Sequence, residues 1–294
     1  MNCIKKLYCR AFQTGFWLAL PLLPYRDPTV LERIDAIPGV LRREGARRPL
    51  IVTDGVLSSL GAADGLKESL RTAGIDFVFY DGAFPNPTVR LANEAAGVYR
   101  REGCDALISF GGGSPMDLAK AVGVAVARPE VPLQKLGGIL KVHRRLPLLI
   151  AVPTTAGTGS ETTVAAILVD ERTRHKFAIN DFPLIPRYAV LDPDTTHGLP
   201  ASVAAPTGLD ALTHAVEAYI GRSTTKQTRR DAEEAVRLIF RHLDGAVAHT
   251  SREDEAAMLR AAHYAGRAFT RSYVGYVHAV SHSLSGAYDL PHGW

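Results

Sequence analysis

The sequence predicts an α/β domain built on a parallel sheet, followed by an all-helical domain. Up to about residue 200, short apolar runs alternate with segments of helical periodicity, the pattern of a parallel sheet with helices on both faces. After that point no convincing strand pattern occurs, and Ala, Glu, Arg and Leu dominate. We therefore predict an α/β domain over residues 1–200 and a helical domain over residues 201–294.

The individual elements follow from local apolar spacing and from the turn residues between the apolar runs. Strands are predicted over 50–53, 76–80, 106–110, 148–152 and 188–191, and a hairpin over 164–169 and 176–179. Helices are predicted over 57–73, 88–102 and 114–126 in the first domain. In the second domain they are predicted over 207–221, 227–249, 253–271 and 274–288.

Composition excludes several classes of protein. Of the 294 residues, 46% are hydrophobic and 22% charged, a balance typical of globular domains and not of disordered chains. The net charge of +4 comes without a concentrated basic stripe, so nucleic-acid binding is not expected. Three cysteines without a CxxC pair predict neither disulfides nor a cysteine-based zinc site, and they favour a reducing compartment, the cytoplasm.

An apolar segment over 16–23 follows Lys5, Lys6 and Arg10. It is shorter than the ~20 residues that a helix needs to cross a bilayer. Pro21 and Pro24 interrupt it, and no signal-peptide cleavage site follows. We predict that it packs on the body of the protein and that no membrane is involved.

A glycine turn follows the strand 106–110, in the sequence FGGGSPMD over 110–117. Glycines let a backbone approach a ligand closely, and a helix N-terminus offers N–H groups to an anion. Ser114 is predicted as the N-cap, with Pro115 at the first helical position and Asp117 completing a capping box. A tight turn with a good cap would carry the same residues, so this motif alone leaves both interpretations open.

Two further strand ends carry polar side chains. The loop PTTAGTGSE over 153–161 follows the strand 148–152 and offers hydroxyl groups and glycines. Asp54 ends the strand 50–53, where a carboxylate can accept hydrogen bonds from ribose hydroxyls and would repel a 2′-phosphate. A flexible polar loop and an ordinary turn aspartate are the alternatives.

The helical domain carries a set of metal-ligand residue types. Asp210 and His214 are spaced i, i+4, which places them on one helix face, and His278 and His282 repeat that spacing. His292 follows. Imidazoles and a carboxylate on apolar helix faces are costly to bury without a partner, and a divalent metal supplies one. The remaining histidines are interpreted as ordinary core or surface residues: His143, His175, His197, His242, His249 and His263.

Four ordered motifs together resemble those of the iron-containing (group III) alcohol dehydrogenases. They are GGGSPMDLAK at 111–120, PTTAGTGSE at 153–161, GLDALTHAVEAY at 208–219 and AGRAFTRSYVGYVHAVSHSLSGAYDLPHG at 265–293. The resemblance implies a Rossmann-like dinucleotide-binding domain, a helical metal-binding domain, and a cleft between them. It also implies hydride transfer between an alcohol and NAD, with an aldehyde or ketone in the reverse direction, and a homodimer or larger homo-oligomer.

The resemblance also implies roles for single residues. The metal ligands would be Asp210, His214, His278 and His292, with His282 carrying a proton. The dinucleotide would be bound by Asp54, Asn86, Gly111, Gly112, Gly113, Ser114, Asp117, Thr154, Thr155, Thr158 and Lys176. Asp54 favours NAD over NADP. The family implies Fe²⁺, with Zn²⁺ as the alternative, because three imidazoles and a carboxylate suit either ion.

The sequence departs from the family in one respect. Family members continue past the HG motif, usually with HG-x-ANA and further helices, whereas this sequence ends at Trp294. The helical domain is therefore expected to be incomplete. Two alternatives stay open: an inactive NAD-binding protein of the same fold, and an enzyme similar to glycerol dehydrogenase or maleylacetate reductase.

Overall fold

The computed structural model describes residues 3–288 and has the two-part architecture that the sequence predicts. Its strands are β1 (Thr29–Leu31), β2 (Pro49–Asp54), β3 (Val78–Ala83), β4 (Ala106–Gly111), β5 (Gly138–Ile139), β6 (Leu148–Pro153), β7 (Ala165–Asp170), β8 (His175–Asn180) and β9 (Tyr188–Val190). Its helices are α1 (Cys3–Ala19), α2 (Ile37–Glu44), α3 (Gly55–Ser59), α4 (Asp64–Thr72), α5 (Val89–Arg101), α6 (Gly113–Ala127), α7 (Leu133–Leu136), α8 (Ala201–Ile220), α9 (Lys226–Val247), α10 (Arg252–Ser272) and α11 (Tyr276–Tyr288).

The main sheet has six strands in the order β1-β9-β6-β4-β2-β3, and neighbouring strands pair in parallel. The chain runs from β2 outward to β3 and then returns to β4 on the other side of β2. This reversal is a topological switch point, and ligands of such sheets bind beyond the carboxyl ends of the strands there. β2 ends at Asp54 and β4 ends at the glycine turn.

The sheet separates two apolar cores. Leu107, Leu118 and Val122 belong to the core on the face covered by α5 and α6. Ile51, Ile108 and Leu70 belong to the core on the face covered by α2 and α4. β4 is buried along its whole length, as a central strand with both faces covered must be. The prediction of a doubly covered parallel sheet is confirmed.

The predicted hairpin is confirmed and forms a second sheet. β7 and β8 pair antiparallel, and β5 joins β8, giving the order β5-β8-β7. This small sheet packs against the main one through α6 and α5. It carries Lys176 on β8, and the Lys176 side chain contacts Asn86, three residues after the carboxyl end of β3.

The helical region has a core of a different kind. α8, α9 and α10 pack on one another through buried alanines, among them Ala211, Ala215, Ala235 and Ala261. Small side chains let helix axes approach closely, so side chains on facing helices can meet between them. The four predicted helices of this region are confirmed.

Two element boundaries differ from the prediction. The segment 57–73 forms two helices, because the chain turns at Leu60–Ala63 with Gly61 at a φ of 66°. α8 begins at Ala201 rather than at 207, and Pro206 lies inside it. The proline removes one backbone hydrogen bond, while the Thr207 hydroxyl donates to the carbonyl of Val203.

The N-terminal segment differs more. Residues 3–19 form α1, but most of its large apolar side chains are exposed, including Leu7, Phe12 and Trp17. Phe16 lies 4.7 Å from the Tyr273 ring, measured between centroids, and a cavity beside α1 is lined by Arg10, Gln13, Thr14, Trp17 and Arg222. In the predicted segment 16–23, Leu20 is buried and Phe16 is half-buried, whereas Trp17, Leu18 and Leu22 are exposed, so the prediction of a packed segment is confirmed only in part. Within residues 3–288, no helix combines the length and the apolarity needed to cross a membrane.

The short strand β1 was not predicted. Thr29–Leu31 pairs in parallel with β9 at the edge of the main sheet, and its residues are largely exposed. Three residues without an apolar run give no strand signal in the sequence.

Candidate functional site

The glycine turn between β4 and α6 brings the backbone to the switch point of the sheet. Gly111 has a φ of 152°, and a Cβ there would lie 2.5 Å from Cγ of Pro115, so the close turn requires glycine. α6 begins at Gly113 with Gly112 as N-cap, and no side chain caps it. The prediction of Ser114 as the N-cap is therefore wrong, and Ser114 lies in the first turn of α6. The backbone N–H groups of that turn are available to a ligand.

The glycine turn contacts the threonine-rich loop after β6. The Thr154 N–H donates to the carbonyl of Gly111 at 3.2 Å. A Cβ at Gly112 would lie 3.3 Å from the Thr155 hydroxyl, and one at Gly113 would lie 3.3 Å from the Thr158 methyl. The structure thus brings together the two loops that the sequence singled out.

Asp54 lies at the carboxyl end of β2, beside the glycine turn. Its Oδ1 accepts hydrogen bonds from the Val56 and Leu57 N–H groups at 3.0 and 2.9 Å, so it caps α3. A Cβ at Gly111 would lie 3.4 Å from the Leu57 side chain, which places the two turns side by side. The cap uses one carboxylate oxygen, so Asp54 fills the ordinary turn role at the switch point.

Asn86 and Lys176 contact each other on the side of β3 and the hairpin. The Lys176 Nζ donates to the Asn86 Oδ1 at 2.8 Å, and Asn86 adopts a φ of 58°. These two residues come from positions 90 apart in the chain. Their contact gives a cation held by an amide, and this cation acts to lower the pKa of Asp117 near the start of α6.

Asp117 does not form the predicted capping box. Its Oδ1 instead accepts a hydrogen bond from the Ser160 hydroxyl at 3.4 Å. Burial raises the pKa of the Asp117 carboxyl, while attraction to Lys120 acts in the opposite direction. Asp117 therefore ties α6 to the segment that follows the threonine loop.

Lys120 also ties α6 to the segment that follows the threonine loop. It was not singled out from the sequence. Its Nζ is fully buried and donates to carbonyls of Ser160, Thr163 and Ala165 and to the hydroxyls of Ser160 and Thr163, at 2.6–3.3 Å. Burial lowers the pKa of this lysine, and Asp117 and Glu161 act against that shift. A lysine within the apolar stretch 118–126 was the available signal.

The threonine loop also contacts the helical region. A Cβ at Gly157 would lie 2.6 Å from the Thr207 carbonyl of α8, and one at Gly159 would lie 2.7 Å from Gly266 of α10. Asp210 follows Thr207 by about one helical turn. The loop is therefore held between the sheet and the helix that carries the first predicted metal ligands.

Asp210, His214 and His278 converge inside the helical region. All three are buried, and one ligand atom of each lies within 4.8 Å of the others. The His278 Nε2 lies 3.4 Å from the Asp210 Oδ1, and the His214 Nδ1 lies 3.8 Å from its Oδ2. A carboxylate and two imidazoles in a buried site are a donor set that suits Fe²⁺ or Zn²⁺.

Glu217 orients His278 and was missed by the sequence analysis. Its carboxylate accepts from the Gly275 and Val277 N–H groups at 2.7 Å and from the His278 Nδ1 at 2.6 Å. Burial by itself would raise the pKa of Glu217, but these three hydrogen bonds together lower it. With Nδ1 bound by Glu217, the Nε2 of His278 faces Asp210. Glu217 lies three residues after His214, on the same helix face, which was the signal.

Aromatic stacking fixes the rings of the cluster. The His214 ring lies 4.1 Å from the His278 ring and 4.2 Å from the Phe269 ring, with small interplanar angles in both pairs. Phe269 thus connects α10 to the cluster. Close stacking limits the rotation of the His214 ring, whose Nδ1 lies 3.8 Å from the Asp210 Oδ2.

Two predicted site residues fall outside this description. His282 lies on α11, four residues after His278, but its side chain is outside the described part of the chain. His292 lies outside residues 3–288 altogether. Their roles stay predictions.

Comparison with known proteins identifies two family models that match this chain. The model for iron-containing alcohol dehydrogenase matches residues 31–193, and that for the C-terminal region of the same family matches residues 204–294. The first model covers the sheet and both polar loops, and the second covers the helices of the buried cluster.

Individual proteins agree with these models. The chain is 42% identical over 252 residues to 1,3-propanediol dehydrogenase of Klebsiella pneumoniae, covering 85% of this chain and 65% of that protein. It is 38% identical over 254 residues to the NAD-dependent methanol dehydrogenase of Bacillus methanolicus, covering 86% and 66%. The crystal structure of a 1,3-propanediol oxidoreductase superposes with a TM-score of 0.89 at 39% identity, covering 92% of this chain and 72% of that one. The chain belongs to the iron-containing alcohol dehydrogenase family.

Proposed function

We propose that this protein is a metal-dependent oxidoreductase that transfers a hydride between a small alcohol and NAD. One observation carries the proposal: the threonine loop contacts the glycine turn on one side and, through Gly157, contacts α8 one turn before Asp210 on the other. A nucleotide bound at the carboxyl ends of β4 and β6 would therefore lie beside the buried cluster. Hydride transfer requires that juxtaposition.

The nucleotide half of the site follows the residues already described. The first-turn N–H groups of α6, at Gly113 and Ser114, would bind the pyrophosphate. Thr154, Thr155 and Thr158 would line the dinucleotide site. Lys176 and Asn86 would lie near the nicotinamide ribose, and Asp54 would contact the adenosine ribose. Asp117 would act indirectly, by holding Ser160 and thereby the threonine loop.

The metal half of the site rests on Asp210, His214 and His278, with His292 as a fourth ligand. A divalent metal bound there, Fe²⁺ by family membership, supplies Lewis-acid polarisation of the substrate oxygen. Glu217 keeps the Nε2 of His278 directed at the site, and Phe269 limits the motion of His214. His282 would carry the substrate proton outward, because an imidazole exchanges protons near neutral pH.

The substrate class is proposed from the relatives. Their names give a short diol and methanol as substrates of those proteins. A buried cluster beside the threonine loop suits small alcohols of that kind. We also propose a homo-oligomer in the cytoplasm, supported by exposed apolar side chains on the helical region such as Ile220 and Phe240 and by the unpaired cysteines.

The direct test is NADH formation by the purified chain. The chain is loaded with Fe²⁺ or Zn²⁺ and assayed with NAD and a panel of short primary alcohols that includes methanol and 1,3-propanediol. We expect turnover that disappears with a chelator and returns with metal. NAD binding without turnover, in either direction and with every member of the panel, would support the inactive alternative.

The nucleotide assignment has a sharper test in Asp54. Asp54→Asn keeps the cap of α3, because Asn caps as well as Asp, but removes the charge that would repel a 2′-phosphate. We expect the ratio of NADP to NAD activity to rise while thermal stability changes little. An unchanged cofactor ratio would place the adenosine ribose elsewhere.

A further inference from the structure

A second cluster of potential ligands lies where the α/β region joins the helices. His197 precedes α8, His249 follows α9, and Glu255 lies in the first turn of α10. The Glu255 Oε1 lies 2.9 Å from the His197 Nδ1 and 2.8 Å from the His249 Nδ1. One ligand atom from each of the three residues lies within 4.8 Å of the others. The sequence analysis had interpreted both histidines as ordinary.

The hydrogen bonds of His249 decide the orientation of its ring. Its Nε2 lies 2.9 Å from the carbonyl of Leu199, which can only accept, so Nε2 carries a hydrogen. A neutral imidazole has no second hydrogen, and its Nδ1 lone pair then points at the carboxylate oxygen of Glu255. Two lone pairs at 2.8 Å repel each other, so the contact requires a cation shared by them or a second proton on the ring.

The surroundings match those of a metal site. Metal-bound histidines usually donate the other ring N–H to a backbone carbonyl or a carboxylate, as His249 does toward Leu199. Two histidines and a glutamate are a zinc ligand set. Arg252 contacts the other carboxylate oxygen of Glu255 at 3.1 Å, which leaves Oε1 directed at the histidines. Glu255 is buried, while the His197 side chain is 50% exposed and gives access from solvent.

The required movement is small. Ligand atoms around a tetrahedral zinc ion are separated by ~3.3 Å, because each lies ~2.0–2.1 Å from the metal. The present Glu255 contacts of 2.8 and 2.9 Å would have to open by roughly half an ångström. The ligand nitrogens of the two histidines, which lie within 4.8 Å of each other, would have to reach the same spacing. His197 lies in a connecting segment and is half exposed, so its side chain can supply that displacement.

We propose that His197, His249 and Glu255 form a second site for a divalent transition metal such as Zn²⁺. It shares no residue with the Asp210 cluster. Glu255 and Phe269 lie fourteen residues apart on α10, so the two sites are roughly 20 Å apart along that helix. Bound metal would join the segment leaving the α/β region to the connection between α9 and α10.

The test is the zinc stoichiometry of the full chain, measured by calorimetry and elemental analysis after dialysis. We expect two zinc ions per chain in the wild type and one in His197→Ala, with alcohol turnover unchanged in that variant. His249→Gln should also lose the second ion. Histidine NMR of the wild type should show resonances of His197 and His249 that shift on zinc addition. In His197→Ala the remaining His249 resonance should not respond to zinc.

His242 provides a matched control. Its Nδ1 lies 2.7 Å from the Asp254 Oδ1, on the same two helices, yet within residues 3–288 this pair belongs to no three-residue ligand cluster. His242→Gln should keep both zinc ions. A wild-type stoichiometry of one that is unchanged in His197→Ala, or a second ion that survives His197→Ala, would overturn the proposal. A His249 ring that carries two protons and does not respond to zinc would also overturn it.

Discussion

The two regions of this molecule build their parts of the candidate site in opposite ways. In the α/β region the site consists of backbone and short polar side chains at strand ends, around Gly111, Gly112 and Thr154. In the helical region it consists of ionisable side chains buried in an alanine-rich core, around Asp210 and His278. The first kind of site depends on the absence of side chains, and the second depends on partners for buried charge.

This difference determines how each region responds to substitution. A backbone site is damaged by added atoms, because every Cβ in it meets a neighbouring loop or helix. A buried side-chain site is damaged by removed atoms, because the groups left behind stay buried without compensation. Lys120 is a buried charged side chain although it lies in the α/β region. It therefore tests whether burial of charge, rather than the region of the fold, determines the response to substitution.

The largest effect is expected at the buried cluster. Asp210→Asn removes the charge that both histidines face, and we expect turnover to fall by at least ~10³-fold, since Lewis-acid stabilisation contributes several kcal/mol. Asp244→Asn makes the same chemical change at an exposed position of α9 and should leave turnover within about twofold. Equal losses in the two variants would argue against a metal role for Asp210.

Lys120→Met should lower the free energy of unfolding, measured in urea, by about 3 kcal/mol. The substitution removes five hydrogen bonds donated by the lysine and leaves their acceptors and the Asp117 carboxyl buried without a cation. Lys135→Met, at an exposed position on α7, should change stability by less than ~0.5 kcal/mol. A small loss of stability in Lys120→Met would mean that apolar packing can replace the buried lysine. The claim that buried charged side chains are sensitive to removal would then fail for the α/β region.

These residues also show what sequence analysis can and cannot predict. The sheet, the hairpin and both polar loops were predicted, because buried parallel strands and glycine turns leave local signals. Glu217 was missed because the N–H groups that it binds come from Gly275 and Val277, about sixty residues away in the chain. The break at Gly61 was missed because the apolar spacing continues across it, although Leu60 is exposed and Leu66 is buried.

Glu217→Gln tests the partners of the buried cluster with a smaller expected effect. The amide keeps the size of the side chain but weakens the hold on the His278 Nδ1, so metal affinity should fall by ~10–100-fold. Metal affinity is measured by competition with a chelator of known strength. Glu233→Gln, on the exposed face of α9, is the control and should bind metal as the wild type does. Wild-type affinity in Glu217→Gln would show that His278 is oriented by its helix alone.

The smallest effects are expected for a pair of glycine substitutions. Gly159→Ala should destabilise the chain by about 2 kcal/mol, because φ is +58° and the new Cβ would lie 2.7 Å from the backbone of Gly266. Gly97→Ala, inside α5 with open space around its Cβ, should instead stabilise by ~0.5–1 kcal/mol. Thermal denaturation of both variants measures these changes in stability. A stability change of the same sign in both variants would contradict the contact between the threonine loop and α10.

The most direct test of the account is anomalous scattering from crystals of the full chain grown with Zn²⁺ or Fe²⁺. The central claim is that Asp210, His214 and His278 hold a metal ion beside the threonine loop. We expect an anomalous peak ~2.0–2.2 Å from a carboxylate oxygen of Asp210 and from one nitrogen of each histidine. Absence of that peak in metal-loaded crystals, with His278 still bound to Glu217, would contradict the claim.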